Sequence, residues 1–303
     1  MTIPQEVIIK EVGPRDGLQN ESVIISTEKK IAWIEKLTNA GVKYVEVSSF
    51  VSPKWIPALA DADDVFRYLK RKEGVTYAGL VPNEKGLDRA LRANVDEIGI
   101  FVSASDTHNR KNVNKSIDET LSILKDVVKT AKREGKSVRG YLSTVFGCPY
   151  EGHISIGQVE RISNILLEMG VDELSLGDTI GVANPVQVKQ VIRQLKTTIP
   201  TGKLALHFHN TRGLAAANIV AGLEQNIQVF DGANGGLGGC PYAQGATGNV
   251  ATEDVQYLME SLGVNTGLSL KGLVQAAKYI APHVGLELPS YQHRLAQKED
   301  DGA

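Results

Sequence analysis

The 303-residue sequence predicts an α/β fold of the (β/α)8 barrel type, with a C-terminal helical extension and a glycine-rich lid loop after strand 8. Three observations predict it. Short β-branched runs alternate with helix-like stretches from end to end, in units of roughly 30 residues. These units supply eight strands, each followed by a helix. No G-x-G-x-x-G follows the first strand, which argues against an open doubly wound sheet, and no Pro-, Gly- or Ser-rich linker divides the chain.

The elements follow in order. VIIKEVG (7–13) reads as strand 1, and 27–41 as a helix with Thr27 as N-cap and Gly41 as its stop. YVEVSSF (44–50) is strand 2, ADADDVFRYLKR a helix, and TYAGLVP (76–82) strand 3. EKGLDRALRAN is helical and leads into strand 4, EIGIFVSAS (97–105). The stretch 116–135 has helical periodicity, and Ser116 with Glu119 three residues on forms a capping box. SVRGYLSTVFG (137–147) is strand 5, IGQVERISNILLEMG a helix and DELSLGDT (172–179) strand 6. The helix NPVQVKQVIRQLKTTIP carries Pro185 in its first turn. LALHFHN (204–210) is strand 7, AAANIVAGLEQN a helix and QVFDGANGG (228–236) strand 8. The helix ATEDVQYLMESLG and further helices over about 269–296 complete a single domain, 1–303, whose barrel covers about 7–262.

With 42% hydrophobic and 22% charged residues there is ample material for a core. A net charge of -2 with no basic stripe excludes a nucleic-acid footprint. No apolar run reaches membrane-spanning length, so no membrane partner is expected. Two cysteines are too few for a disulfide framework and fit a reducing compartment. The N-terminus lacks the apolar core of a signal peptide and the Arg/Ser richness of a transit peptide, so the expected location is cytoplasmic.

Two of the six histidines, His207 and His209, stand one residue apart in an apolar run. On a strand they share a face, here the barrel interior near its C-terminal rim, and lie within roughly 7 Å of each other. Barrel chemistry sits at that rim. Arg15 and Asp16, in GPRDGLQNE, end strand 1 in a tight turn, and strands 1, 7 and 8 are neighbours in a closed ring. The loop after strand 8 carries seven glycines between Gly232 and Gly248, together with Cys240 and, at the start of the next helix, Asn249. Ordering so much glycine is costly, which favours a lid over bound ligand. Asn249 is either a helix N-cap or a ligand through its amide oxygen. Asp16, His207, His209 and Asn249 together suit Mg²⁺, Mn²⁺, Co²⁺ or Zn²⁺ and leave positions open for an anionic, chelating hydroxy acid. Glu46 on strand 2 and Asp178 at the end of strand 6 read as structural partners for Arg15 or a metal-bound histidine. Cys240 reads as a proton donor or acceptor, with Cys148 as its rival.

Taken together, GPRDGLQNE, SSFVSPKWIP, HFHNTRG and GGLGGCPYAQGATGN resemble the 3-hydroxy-3-methylglutaryl-CoA lyase family, over about residues 7–290. That family belongs to the barrel metallolyases, which include the 2-isopropylmalate and citramalate synthases. The resemblance implies that a divalent cation, Mg²⁺ or Mn²⁺, is held by Asp16, His207, His209 and Asn249. It implies that Arg15 polarises the thioester carbonyl, that Cys240 is the loop thiol, and that His207, Glu46 and Asp178 are further catalytic side chains. Gln19 and Asn112 are placed with Arg15 at the substrate. The implied reaction is cleavage of 3-hydroxy-3-methylglutaryl-CoA to acetyl-CoA and acetoacetate, as in leucine degradation, by a homodimer. Two alternatives stand beside it: a Claisen-type synthase joining acetyl-CoA to a 2-oxo acid, and a non-catalytic, metal-stabilised acyl-CoA-binding scaffold.

Overall fold

The computed structural model describes residues 3–21, 23–239, 248–285 and 287–301. Its strands are β1 (Ile8–Glu11), β2 (Tyr44–Ser49), β3 (Thr76–Leu80), β4 (Glu97–Ser103), β5 (Ser137–Ser143), β6 (Glu173–Asp178), β7 (Leu204–Phe208) and β8 (Val229–Gly232). They close into a parallel barrel in sequence order, with β1 paired to β8. The helices are α1 (Thr27–Asn39), α2 (Ala62–Tyr68), α3 (Glu84–Arg92), α4 (Asp106–Val113), α5 (Ile117–Arg133), α6 (Ile156–Glu168), α7 (Pro185–Leu195), α8 (Ala215–Leu223), α9 (Thr252–Ser261), α10 (Leu270–Val284) and α11 (Tyr291–Asp301).

Alternation along each strand divides the residues into two sets. Val45, Val47, Ile98, Ile100, Leu174, Leu176, Leu206 and Phe208 are buried in the hydrophobic core. The intervening positions carry Glu46, which pairs with Arg15, and Arg139, Glu173, Ser175, His207 and Asp231, which are linked to one another across the barrel interior. Packing of helix on sheet is close. A Cβ on Gly222 of α8 would stand 2.5 Å from Leu206 Cδ1 of β7, so a larger residue there would displace the Leu206 side chain.

Several local expectations hold. Ser116 and Glu119 form the capping box of α5, and Pro185 opens α7. Others are corrected. Ser26, not Thr27, is the N-cap of α1, and the Thr27 hydroxyl donates to Asp61 Oδ2 instead (2.7 Å). α4 was not expected. Its sequence, DTHNRKNV, has no apolar stripe, and polar bonds define it: Ser105 Oγ accepts from His108 N, and Asn114 ends it in the left-handed region. Asn112 therefore sits on a helix rather than in a loop. None of the described helices is long and apolar enough to cross a membrane.

Candidate metal centre and substrate cavity

The turn after β1 is a π-helical turn over Gly13–Gly17, wider than the expected tight turn. Val12 O accepts from Arg15 N (3.2 Å), Asp16 N (2.7 Å) and Gly17 N (3.3 Å). Pro14 has no N–H to satisfy, so the widened turn leaves no donor stranded. The turn aims two consecutive side chains at the barrel mouth. Arg15 Nε donates to Glu46 Oε2 (2.6 Å) and Nη1 to Asp16 Oδ1 (2.5 Å). Glu46 is fully buried on β2 and anchors the guanidinium from behind, as expected. Tyr141 presents its ring 5.3 Å from the Arg15 guanidinium carbon.

Asp16, His207 and His209 converge: each offers a ligand atom, and these atoms lie within 4.8 Å of one another. The two rings are 5.3 Å apart centre to centre. Burial favours the protonated Asp16 carboxyl, but Arg15, with His207 and the Asn249 amide bond, outweighs it and holds the group at about 2. Burial, with His207 alongside, pushes His209 down to about 3, so its ring is neutral. His209 Nδ1 is buried with no hydrogen-bond partner among the described residues. An ionised carboxylate, a neutral imidazole and a second imidazole facing the same point fit a divalent cation.

Asn249 adjoins the trio, bridged to His209 across the end of β7. Its Nδ2 donates to Asp16 Oδ2 (2.7 Å) and Leu237 O (3.1 Å). Oxygen ligation from Asn249 thus requires its amide to turn over, exchanging the donor end for the acceptor end. Asn249 is not a helix cap, because α9 begins at Thr252 with Ala251 as N-cap. Glycine is required beside it: a Cβ on Gly238, at φ +97°, would stand 2.6 Å from Asn249 Nδ2 and 3.2 Å from Asp16 O.

Above this cluster opens a cavity of about 640 Å³, lined by Arg15, Asp16, Gln19, Asn112, His207 and His209 among others. The structure thus brings Gln19 and Asn112 to the same space as the candidate metal cluster. Asp178 adjoins the cluster through its backbone, its carbonyl accepting from His209 N (3.2 Å). Its carboxylate accepts from Val182 N and Ala183 N (2.9 Å each) and organises the loop after β6. Cys240 lies outside the described residues. Cys148, its rival, is buried in a turn, with Sγ donating to Ser105 Oγ (3.0 Å) and accepting from Tyr150 N (3.3 Å).

Among the polar residues of the site that the sequence reading does not single out are Asp231 and Tyr141. Asp231 of β8 meets His207 Nδ1 through Oδ2 at 3.2 Å. Its signal is the one that marks Glu46, a carboxylate inside an apolar strand, QVFDG. Tyr141 of β5 is sandwiched between Arg15 and Arg139, and nothing in SVRGYLS marks it out.

Residues 6–280 match the HMGL-like family model. The chain is 56% identical over 290 residues to the hydroxymethylglutaryl-CoA lyase of Bacillus subtilis (strain 168), covering 96% of this chain and 97% of that protein. It is 46% identical over 285 residues to the 3-hydroxy-3-isohexenylglutaryl-CoA/hydroxy-methylglutaryl-CoA lyase of Pseudomonas aeruginosa, covering 94% and 95%. A crystal structure of the Bacillus subtilis HMG-CoA lyase superposes with a TM-score of 0.97 at 54% identity, over 98% of this chain and all of that one.

Proposed function

Because the chain belongs to the HMGL-like family, we infer that it cleaves 3-hydroxy-3-methylglutaryl-CoA to acetyl-CoA and acetoacetate, as a carbon–carbon lyase. The observation that carries this is the Asp16–His207–His209 cluster beside Arg15, on the floor of a cavity roomy enough for an acyl chain. Asp16, His207, His209 and, with its amide turned, Asn249 would hold a divalent cation, Mg²⁺ or Mn²⁺. When bound, such an ion lowers the pKa of a hydroxyl beside it.

The rest is the work of the chain's own groups. The hydroxyl on C3 of the substrate gives its proton to a water molecule in the cavity, a C3 carbonyl forms, and the C2–C3 bond breaks. Its electron pair passes to C2 and the thioester oxygen as the acetyl-CoA enolate. Arg15, held rigid by Glu46 and Asp16, offers a fixed positive charge for that oxygen, a preorganised arrangement that needs no rearrangement as charge develops. Cys240 returns a proton to C2. Gln19 and Asn112, both in the cavity lining, contact substrate. Glu46 acts through Arg15, and Asp178 through the loop it ties down. The enzyme works in the cytoplasm as a homodimer.

The test is direct. Purified chain is incubated with 3-hydroxy-3-methylglutaryl-CoA, with and without chelator, and acetyl-CoA and acetoacetate are quantified. Cleavage that chelator abolishes is expected. Condensation of acetyl-CoA with pyruvate or 2-oxoisovalerate, without cleavage, would replace the lyase by a synthase. Cys240→Ala should lower turnover by orders of magnitude with Mn²⁺ still bound, whereas a non-catalytic scaffold would be indifferent to it.

A further inference from the structure

His207 and His209 share a strand face but not an environment. His207 Nδ1 lies 3.2 Å from Asp231 Oδ2, whereas His209 Nδ1 meets no hydrogen-bond partner among the described residues. Asp231 is itself immobilised. Arg139 Nη2 donates to Oδ1 (2.7 Å) and Nη1 to Oδ2 (3.3 Å), and the Ser175 hydroxyl donates to Oδ2 (2.9 Å). Arg139 in turn is clamped, with Nε on Glu173 Oε1 (2.6 Å) and Nη1 on Tyr141 OH (2.8 Å), and Lys10 Nζ reaches the same Glu173 oxygen (2.8 Å). Arg139, Asp231 and Ser175 are all at most 2% exposed.

Three donors converging on Asp231 leave it an acceptor only. Its bond to His207 must then run from Nδ1–H to the carboxylate. A neutral imidazole carries one ring proton, so the lone pair falls on Nε2. Nε2 is the atom that faces Asp16 Oδ2, 3.9 Å away, inside the cluster. We propose that Asp231, locked by Arg139, is a positioning residue that holds His207 in the tautomer and ring orientation presenting its Nε2 lone pair to the cation. The inference rests on the metal reading of this site.

Asp231→Asn keeps the shape and inverts the polarity. Arg139 still donates, so the amide oxygen must face Arg139 and the amide N–H must face His207 Nδ1. His207 then carries its proton on Nε2, toward the cation. Mn²⁺ titrated into purified wild type and variant, with free Mn²⁺ read by electron paramagnetic resonance, should show about 10- to 100-fold weaker binding in Asp231→Asn. Equal Mn²⁺ affinity in the two proteins would overturn the positioning role while leaving the metal site standing. Failure of wild type to take up Mn²⁺ would overturn both. Should the variant not fold, nuclear magnetic resonance of ¹⁵N-histidine in Mg²⁺-saturated wild type decides, with the His207 signals identified by their loss in His207→Gln. A proton on Nδ1 supports the proposal; a proton on Nε2 overturns it.

Discussion

Arg15 and Asp16 are sequence neighbours with separable duties. Arg15 sits in a fork of two carboxylates, Nε on Glu46 and Nη1 on Asp16. Lysine would carry the charge but could not satisfy both partners at a fixed angle. Arg15→Lys should therefore lower kcat about 10²- to 10³-fold, as loss of a preorganised donor does elsewhere. Its Mn²⁺ affinity should stay close to wild type. Asp16→Asn should do the reverse, weakening Mn²⁺ first, because the only carboxylate of the cluster is lost. Steady-state kinetics beside Mn²⁺ titration separates the two, and a common loss of Mn²⁺ in both variants would show the division to be wrong. At this scale the candidate ligands were readable because two histidines one residue apart on a strand share a face, and strands 1 and 7 end near each other in a closed barrel. Asp231 was not, since a carboxylate in a strand declares only that it has a partner, never which one.

Elements bring these residues into range. Strand alternation alone puts His207 and His209 on one face, and parallel pairing of β1 with β8 brings Asp16 to them from the far end of the chain. The joints between elements tolerate little. Gly41, where α1 ends, has φ +100°, and a Cβ there would stand 2.5 Å from Gly267 O in the segment that leads to α10. Gly41→Ala should destabilise the fold by about 1–3 kcal/mol, the usual range for a side chain forced into a sparsely allowed region. A urea melt would register this as a lower midpoint at unchanged slope, and an unchanged midpoint would mean that α1 and α10 part without cost. The element missed outright, α4, shows the limit of periodicity. A short helix held by caps and polar side chains leaves no apolar stripe to read.

At the scale of the molecule, the barrel interior is a charged network where branched aliphatic side chains are usual. Lys10, Glu173, Arg139, Asp231 and His207 form an unbroken chain of contacts from β1 to the candidate metal cluster. A second buried set lies between barrel and helices. Glu11 accepts from Gly13 N, Asn234 N and the Thr252 hydroxyl, and Glu253 accepts from Gly235 N and Asn234 Nδ2. Burial outweighs these donors and pushes Glu11 up to about 7 and Glu253 up to about 8. In the unfolded chain both ionise near the ordinary glutamate value of 4.5. Between these values the folded state holds more protons, so rising pH favours unfolding until the folded groups ionise in turn. Stability conferred by protonated Glu253 is thus lost as pH rises toward about 8. Urea midpoints of wild type should fall over this window, and the gap to Glu253→Gln should change steadily in the variant's favour. Parallel profiles would show that Glu253 ionises in the folded protein as it does in the unfolded one.

The sequence by itself determined the barrel, the order of its strands, the shared face of His207 and His209, and the presence of Arg15 and Asp16 at the first strand's end. Those properties follow from local periodicity and from the few ways eight β/α units can close. The tertiary structure decided which carboxylate serves which cation or imidazole: Glu46 behind Arg15, Asp231 behind His207, and Asp178 on the backbone of its own loop. Such pairings depend on distances between side chains on different strands. No pattern along one strand encodes them, because each is settled only when the interior charges must be satisfied together, away from water.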